Sequence, residues 1–123
     1  MAQPTMTILY VDAPLASADF YAGILGCKPV EAQATFAMFV LEGGARLGLW
    51  SRHTVEPAAP DGDLGGRGEL AFSVADVTTV QTTYADWRTR GLKILQAPTD
   101  MDFGHTFTAL DPDGHRLRVY TPF

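Results

Sequence analysis

The stretch Asp111-Pro112-Asp113-Gly114-His115-Arg116-Leu117-Arg118-Val119-Tyr120 decides how the chain is read. Pro112 pre-sets its own φ and Gly114 accepts a positive φ, so Asp-Pro-Asp-Gly makes a tight turn. Residues 106–110 before it and 116–120 after it are β-rich or alternating, so the unit reads as a hairpin. Alternation in the second strand puts Arg116, Arg118 and Tyr120 on one face and Leu117 and Val119 on the other. A polar face backed by an apolar one fits a sheet curled around a cavity.

Working outward, residues 5–11 read as a strand, and Asp12-Ala-Pro-Leu turns into a helix with Pro14 in its first turn. Leu15, Ala18, Phe20 or Tyr21, and Leu25 recur at helical spacing, and Gly23 and Gly26 stop that helix. Residues 28–33 form a short edge strand, since Pro29 lacks a donor. Residues 35–41 and 45–50 are two strands around the turn Glu42-Gly43-Gly44. Phe36 and Phe39 fall on opposite faces, so at most one faces a cavity. Residues 69–74 are a strand, and Asp76 caps a helix over 77–89 with Val77, Val80, Tyr84 and Trp87 at spacings of three or four. Trp87 therefore reads as core or interface. Residues 92–96 are a strand stopped by Pro98, and 99–104 are a loop ahead of the hairpin.

Both halves run β-α-β-β-β. Gly44-Ala-Arg-Leu-Gly-Leu-Trp50 matches Gly114-His-Arg-Leu-Arg-Val-Tyr120, and Val11-Asp12 matches Ala75-Asp76. The expected organisation is a first module over 1–53, a Pro/Gly-rich linker over 54–66 and a second module over 67–123.

The net charge of −5 argues against a nucleic-acid partner, which needs a basic face. No apolar run is long enough for a membrane span, and no secretory signal is evident at the start, so a membrane partner is not expected. The single cysteine, Cys27, rules out an internal disulfide and suits a reducing cytoplasm.

Val11-Asp12 through Phe20-Tyr21, Leu25-Gly26 and the Asp111-Pro-Asp-Gly114 hairpin resemble the vicinal oxygen chelate superfamily of glyoxalases, bleomycin resistance proteins and dioxygenases. Leu47-Gly-Leu-Trp-Ser51, Phe103-Gly-His-Thr-Phe107 and Asp111-Pro-Asp-Gly-His-Arg-Leu-Arg-Val119 resemble its phenazine antibiotic resistance branch. The resemblance implies an α+β fold of paired βαβββ modules forming a cupped eight-stranded mixed sheet, and a homodimer with or without exchange of halves. Metal-dependent members of the superfamily point four His or Glu side chains into each cup. Matched by motif, those positions fall at Thr5, Gly48, Glu69 and Arg118. Only Glu69 suits a divalent cation, so no metal and no other cofactor is expected. His53, His105 and His115 have no partner at metal-ligand spacing and read as structural or solvent-facing.

If those positions face inward, strand parity puts Gly48 with Trp50, Glu69 with Ala71 and Ser73, Arg118 with Tyr120, and Leu9 with Thr5. Gly48, Ala71 and Ser73 leave room, while Trp50 and Tyr120 form walls on which a flat aromatic ligand stacks. Glu69 and Arg118 either pair with each other or serve a ligand, and both roles are compatible. Phe103 and His105 are the apolar and polar tips of a lid. Trp50, Arg118, Tyr120, Glu69, Gly48, Ser73, Phe103, His105 and Leu9 are thus the expected ligand-binding residues. No nucleophile–base pair is evident, so no catalytic residue is named. The expected function is metal-free sequestration of a planar aromatic small molecule such as a phenazine-like antibiotic. The alternative is a metal-dependent glyoxalase- or dioxygenase-like enzyme.

Overall fold

The computed structural model describes residues 2–62 and 65–123. Its contacts divide the chain in two after Gly62, and each unit is one βαβββ module. Among the described residues there are two α-helices and eight strands, with the strands in two four-stranded sheets. The expected linker includes residues 63 and 64, which lie outside the described residues. Its earlier part is tied to the first unit: Val55 is buried and donates to the Ser51 carbonyl, and the Arg52 guanidinium donates to the Gly62 carbonyl. No helix among the described residues is long and apolar enough to cross a membrane.

In the first unit, β1 (Met6–Val11) pairs in parallel with β4 (Arg46–Ser51). Antiparallel β3 (Phe36–Val40) and β2 (Glu31–Ala32) complete the order β1-β4-β3-β2. Helix α1 (Pro14–Leu25) covers one face. Its buried Ala18 and Tyr21 join a core that includes Val11, Ala37, Phe39, Leu47 and Leu49. The helix runs through Gly23 and ends at Gly26, whose left-handed backbone (φ 70°) lets its N–H reach the Ala22 carbonyl. Gly23 therefore does not act as a stop.

The N-cap of α1 is Ala13, not Asp12. Pro14 holds the preceding residue in extended backbone, with Ala13 at φ −135° and ψ 93°, so the helix cannot start earlier.

In the second unit the order is β5-β8-β7-β6, with β5 (Glu69–Ser73) parallel to β8 (Arg116–Pro122). Helix α2 (Val77–Thr89) starts at Asp76, whose carboxylate accepts from the Thr79 N–H at 2.7 Å. Trp87 is buried core, edge-on to Phe72 and Phe107. Strand β6 (Lys93–Met101) runs straight through Pro98, against the expected stop. It is an edge strand whose register to β7 (Gly104–Leu110) shifts between Gln96 and Thr99, where a residue without an N–H is tolerated. The expected loop over 99–104 is accordingly two strand ends joined at Asp102-Phe103.

The opening hairpin forms as expected. Gly114 takes φ 85°, and its N–H reaches the Asp111 carbonyl. Asp111 also accepts from the Asp113 and His115 N–H groups and pairs with the His115 ring at 2.7 Å. His115 is thus a buried structural group.

Candidate functional site

Cross-strand partners share a face of a sheet. In the second unit the register aligns Ala71, Arg118, Thr108 and Gln96 in one row. Ser73, Tyr120 and Thr106 make the next row. This face is opposite the one carrying Phe72, Phe107, Leu117 and Val119, which packs toward α2.

Arg118 is the hub of that face. Its Nε donates to Glu69 Oε1 at 2.6 Å, and its Nη1 reaches Thr106 Oγ1 at 3.3 Å and Gln96 Oε1 at 3.4 Å. Thr106 donates onward to the Val119 carbonyl, so the hydroxyl is fixed. Gln96 also accepts from Thr108 and donates toward the Met101 sulfur. The Phe103 ring lies 5.8 Å from the guanidinium carbon and 6.0 Å, edge-on, from the Tyr120 ring. The Arg118 side chain keeps 16% of its surface and that of Glu69 keeps 34%, so the pair is reachable from solvent. Among the described residues nothing bonds to Arg118 Nη2, which leaves one edge of the guanidinium for an outside acceptor.

Of the expected residues, Glu69, Arg118, Tyr120 and Phe103 are brought together here, and Ser73 is exposed beside Tyr120 on the same face. His105 is not. It alternates with Thr106, and its ring is tied to Asp100 at 2.7 Å and to Gln81 of α2 at 3.0 Å, on the helix side of the sheet. The lid role given to it fails because 105 is a strand residue of the wrong parity. Gln96, Thr106 and Met101 went unnoticed in the sequence. The hairpin register could have found Thr106, since pairing Leu110 with Arg116 puts Thr108 opposite Arg118 and Thr106 opposite Tyr120.

In the first unit the equivalent face carries Tyr10, Trp50 and Phe36 in one row and Ile8, Gly48 and Met38 in the next. Trp50 is half-buried and edge-on to Phe36 at 6.1 Å. Leu9 lies on the other face, opposite the buried Leu49, so it does not share the Trp50 face. The error follows from the helix start: seven residues before the true N-cap, Ala13, is Met6, as Glu69 is seven before Asp76. Gly48 does not leave room either. A Cβ there would stand 2.6 Å from Met6 Cε and 3.2 Å from the Phe36 ring, so those side chains already fill the space. An open groove of about 400 Å³ lies by the start of β1, lined by Thr5, Thr7, Gly43, Gly44 and Arg46 among others. It has no aromatic wall and lies apart from the Trp50 row.

The residues at the motif-matched metal positions do not fit a cation. Met6 and Gly48 offer no hard donor, Arg118 is itself cationic, and the Glu69 carboxylate is engaged by Arg118. Among the described residues no three His, Cys, Asp or Glu side chains gather around a common point.

Each unit has the βαβββ order, with its helix on one face of a four-stranded sheet, and the sequence comparison assigns that arrangement to a family. The pattern of the Glyoxalase/Bleomycin resistance protein/Dioxygenase superfamily matches residues 3–119, and the chain belongs to that superfamily. It is 28% identical over 116 residues to the phenazine antibiotic resistance protein EhpR of Enterobacter agglomerans, covering 94% of this chain and 89% of that protein. It is 54% identical to an Agrobacterium tumefaciens protein solved by NMR, with TM-score 0.90 over 100% of this chain and 99% of the other. A glyoxalase-related enzyme of Fulvimarina pelagi shares the fold at 22% identity and TM-score 0.85, over 98% of this chain and 88% of that one.

Proposed function

We propose that the protein binds a planar aromatic small molecule without a metal ion and acts by sequestering it, as a resistance protein for a phenazine-like antibiotic would. The observation that carries this reading is Arg118, ion-paired to Glu69 with Nη2 still open, at the position that the motif match equates with a metal ligand. Phe103 and Tyr120 offer ring surface beside it, and aromatic contacts contribute about 0.5–1.5 kcal/mol beyond area burial. Trp50 with Phe36 and Tyr10 gives the first unit a second aromatic surface. The similarity to a phenazine antibiotic resistance protein supports the ligand class.

The reading extends to a cytoplasmic homodimer, with or without exchange of modules. The lone, exposed Cys27 thiol supports a reducing compartment. Light scattering coupled to size exclusion tests the dimer.

Calorimetric titration with phenazine and acridine tests the binding. Saturable binding is expected, weakened about tenfold or more in Arg118→Gln and in Trp50→Ala. Absence of saturable binding by either compound overturns the reading.

A further inference from the structure

We propose that Arg116 and Lys93 join Arg118 in an anion-binding surface on the second unit's sheet, so that the ligand taken there is a planar aromatic bearing an acid group, with Arg116 as its second arginine contact. This deepens the proposed function and rests on the Arg118 face being a binding site.

Glu69, Arg116, Leu110 and Lys93 are successive cross-strand partners, so they form a row on the same face as Arg118. The paired rows of that face therefore carry three cations against one carboxylate. Strand β7 adds only the uncharged Gly104, Thr106, Thr108 and Leu110, and Asp100 is turned with His105 to the helix side. Beyond the rows stand Asp102 and Asp113 in the turns and Arg67 ahead of β5, and with all three counted the balance stays positive. The whole chain has 9 Lys and Arg against 14 Asp and Glu. A third of its cations thus gather on one sheet face of an acidic protein.

Glu69 does not cancel this charge. Its one short contact is the diagonal bond to Arg118 Nε at 2.6 Å, although the register sets it opposite Arg116. Among the described residues Arg116 and Lys93 have no ion-pair partner, and both are exposed. Arg116 and Arg118 are two residues apart on one strand, about 7 Å along it, so their side chains stand side by side. An acid group that accepts from Arg118 Nη2 is then within reach of the Arg116 guanidinium as well, and each bond is charge-assisted.

The face is also graded. Lys93 and Arg116 mark its cationic end and Arg118 the middle, while Tyr120 and Phe103 give the ring surface at the other end. An aromatic acid matches that gradient along its own length, and a neutral ring engages only half of it. Glu69, Thr106 and Gln96 hold Arg118 in place before the ligand arrives. Lys93, at the edge strand, adds attraction at longer range.

Two probes of nearly equal shape test this: phenazine-1-carboxylate and phenazine-1-carboxamide, titrated calorimetrically at low and moderate salt, above the acid's own pKa. Wild type should bind both and favour the carboxylate by about tenfold, a ratio that shrinks with added salt. Arg116→Gln should weaken the carboxylate about five- to tenfold and leave the carboxamide nearly unchanged, while Arg116→Lys should keep most of the preference. Lys93→Gln should give a smaller loss, confined to low salt. Arg88→Gln removes an exposed arginine from α2, across the sheet, and should leave the ratio unmoved. Circular dichroism confirms that the variants fold. Equal binding of the two probes by wild type, a ratio unmoved by Arg116→Gln, or an equal shift in Arg88→Gln overturns the inference while leaving the binding role intact. No saturable binding of either probe by any of the proteins overturns both.

Discussion

Arg118 Nε meets Glu69 Oε1 at 2.6 Å although the strand register sets Glu69 opposite Arg116, so the contact is a diagonal one that leaves the Arg116 side chain exposed. Choosing the diagonal partner places the guanidinium among Gln96, Thr106 and Phe103. The consequence for stability is limited, because both partners keep solvent contact. Glu69→Gln should cost on the order of 1 kcal/mol in urea unfolding, and less at high salt. A much larger loss would mean that Glu69 holds the sheet together.

The two tryptophans should behave oppositely. Trp87 is 3% exposed and edge-on to Phe72 and Phe107, so Trp87→Ala should cost about 3–5 kcal/mol. Trp50 is half-buried on a sheet face, and Trp50→Ala should cost about 1–2 kcal/mol. Denaturant midpoints of the two variants check the order.

Gly104 begins β7 opposite Pro122 of β8. A Cβ at that position would collide with the Thr121 carbonyl oxygen and crowd Pro122 Cα, both backbone atoms that cannot swing aside. Gly104→Ala should therefore destabilise the protein by about 1–3 kcal/mol or more and perturb the turn that carries Phe103. Gly66→Ala, where a Cβ meets open space, is the control and should leave the melting temperature nearly unchanged.

Asp76 provides a pH-dependent contribution. The Thr79 hydroxyl and N–H both donate to its carboxylate and hold its pKa below the usual value. A folded-state pKa lower than the unfolded one stabilises the protein above the unfolded pKa, and that stabilisation disappears as pH falls through the folded pKa. Asp76→Ala should lower the melting temperature at neutral pH, with the gap to wild type closing as both are taken below the carboxylate range. A gap that stays constant with pH would contradict the charged cap.

The architecture was legible because alternation in residues 116–120 and the Asp-Pro-Asp-Gly turn fix a hairpin, and its repeat at residues 44–50 fixes a second module. Glu69 and Arg118 followed from the motif match and Tyr120 from parity with Arg118, and the structure puts them on one face. Leu9 was misplaced because Asp12 was matched to Asp76 in the repeat, while Pro14 puts the cap of the first helix at Ala13. His105 was misplaced because Pro98 looks like a strand end, while an edge strand with a register shift accommodates it. The filling of Gly48's space by Met6 and Phe36 depends on side-chain reach across neighbouring strands, which no local pattern records.

The most direct test of the central claim is the binding isotherm of phenazine-1-carboxamide to chelator-stripped protein, recorded with and without added nickel, zinc or ferrous ion. The account predicts saturable binding with the same affinity in every case. Binding that appears only with a metal, or a stoichiometric ion held against Glu69, would contradict it.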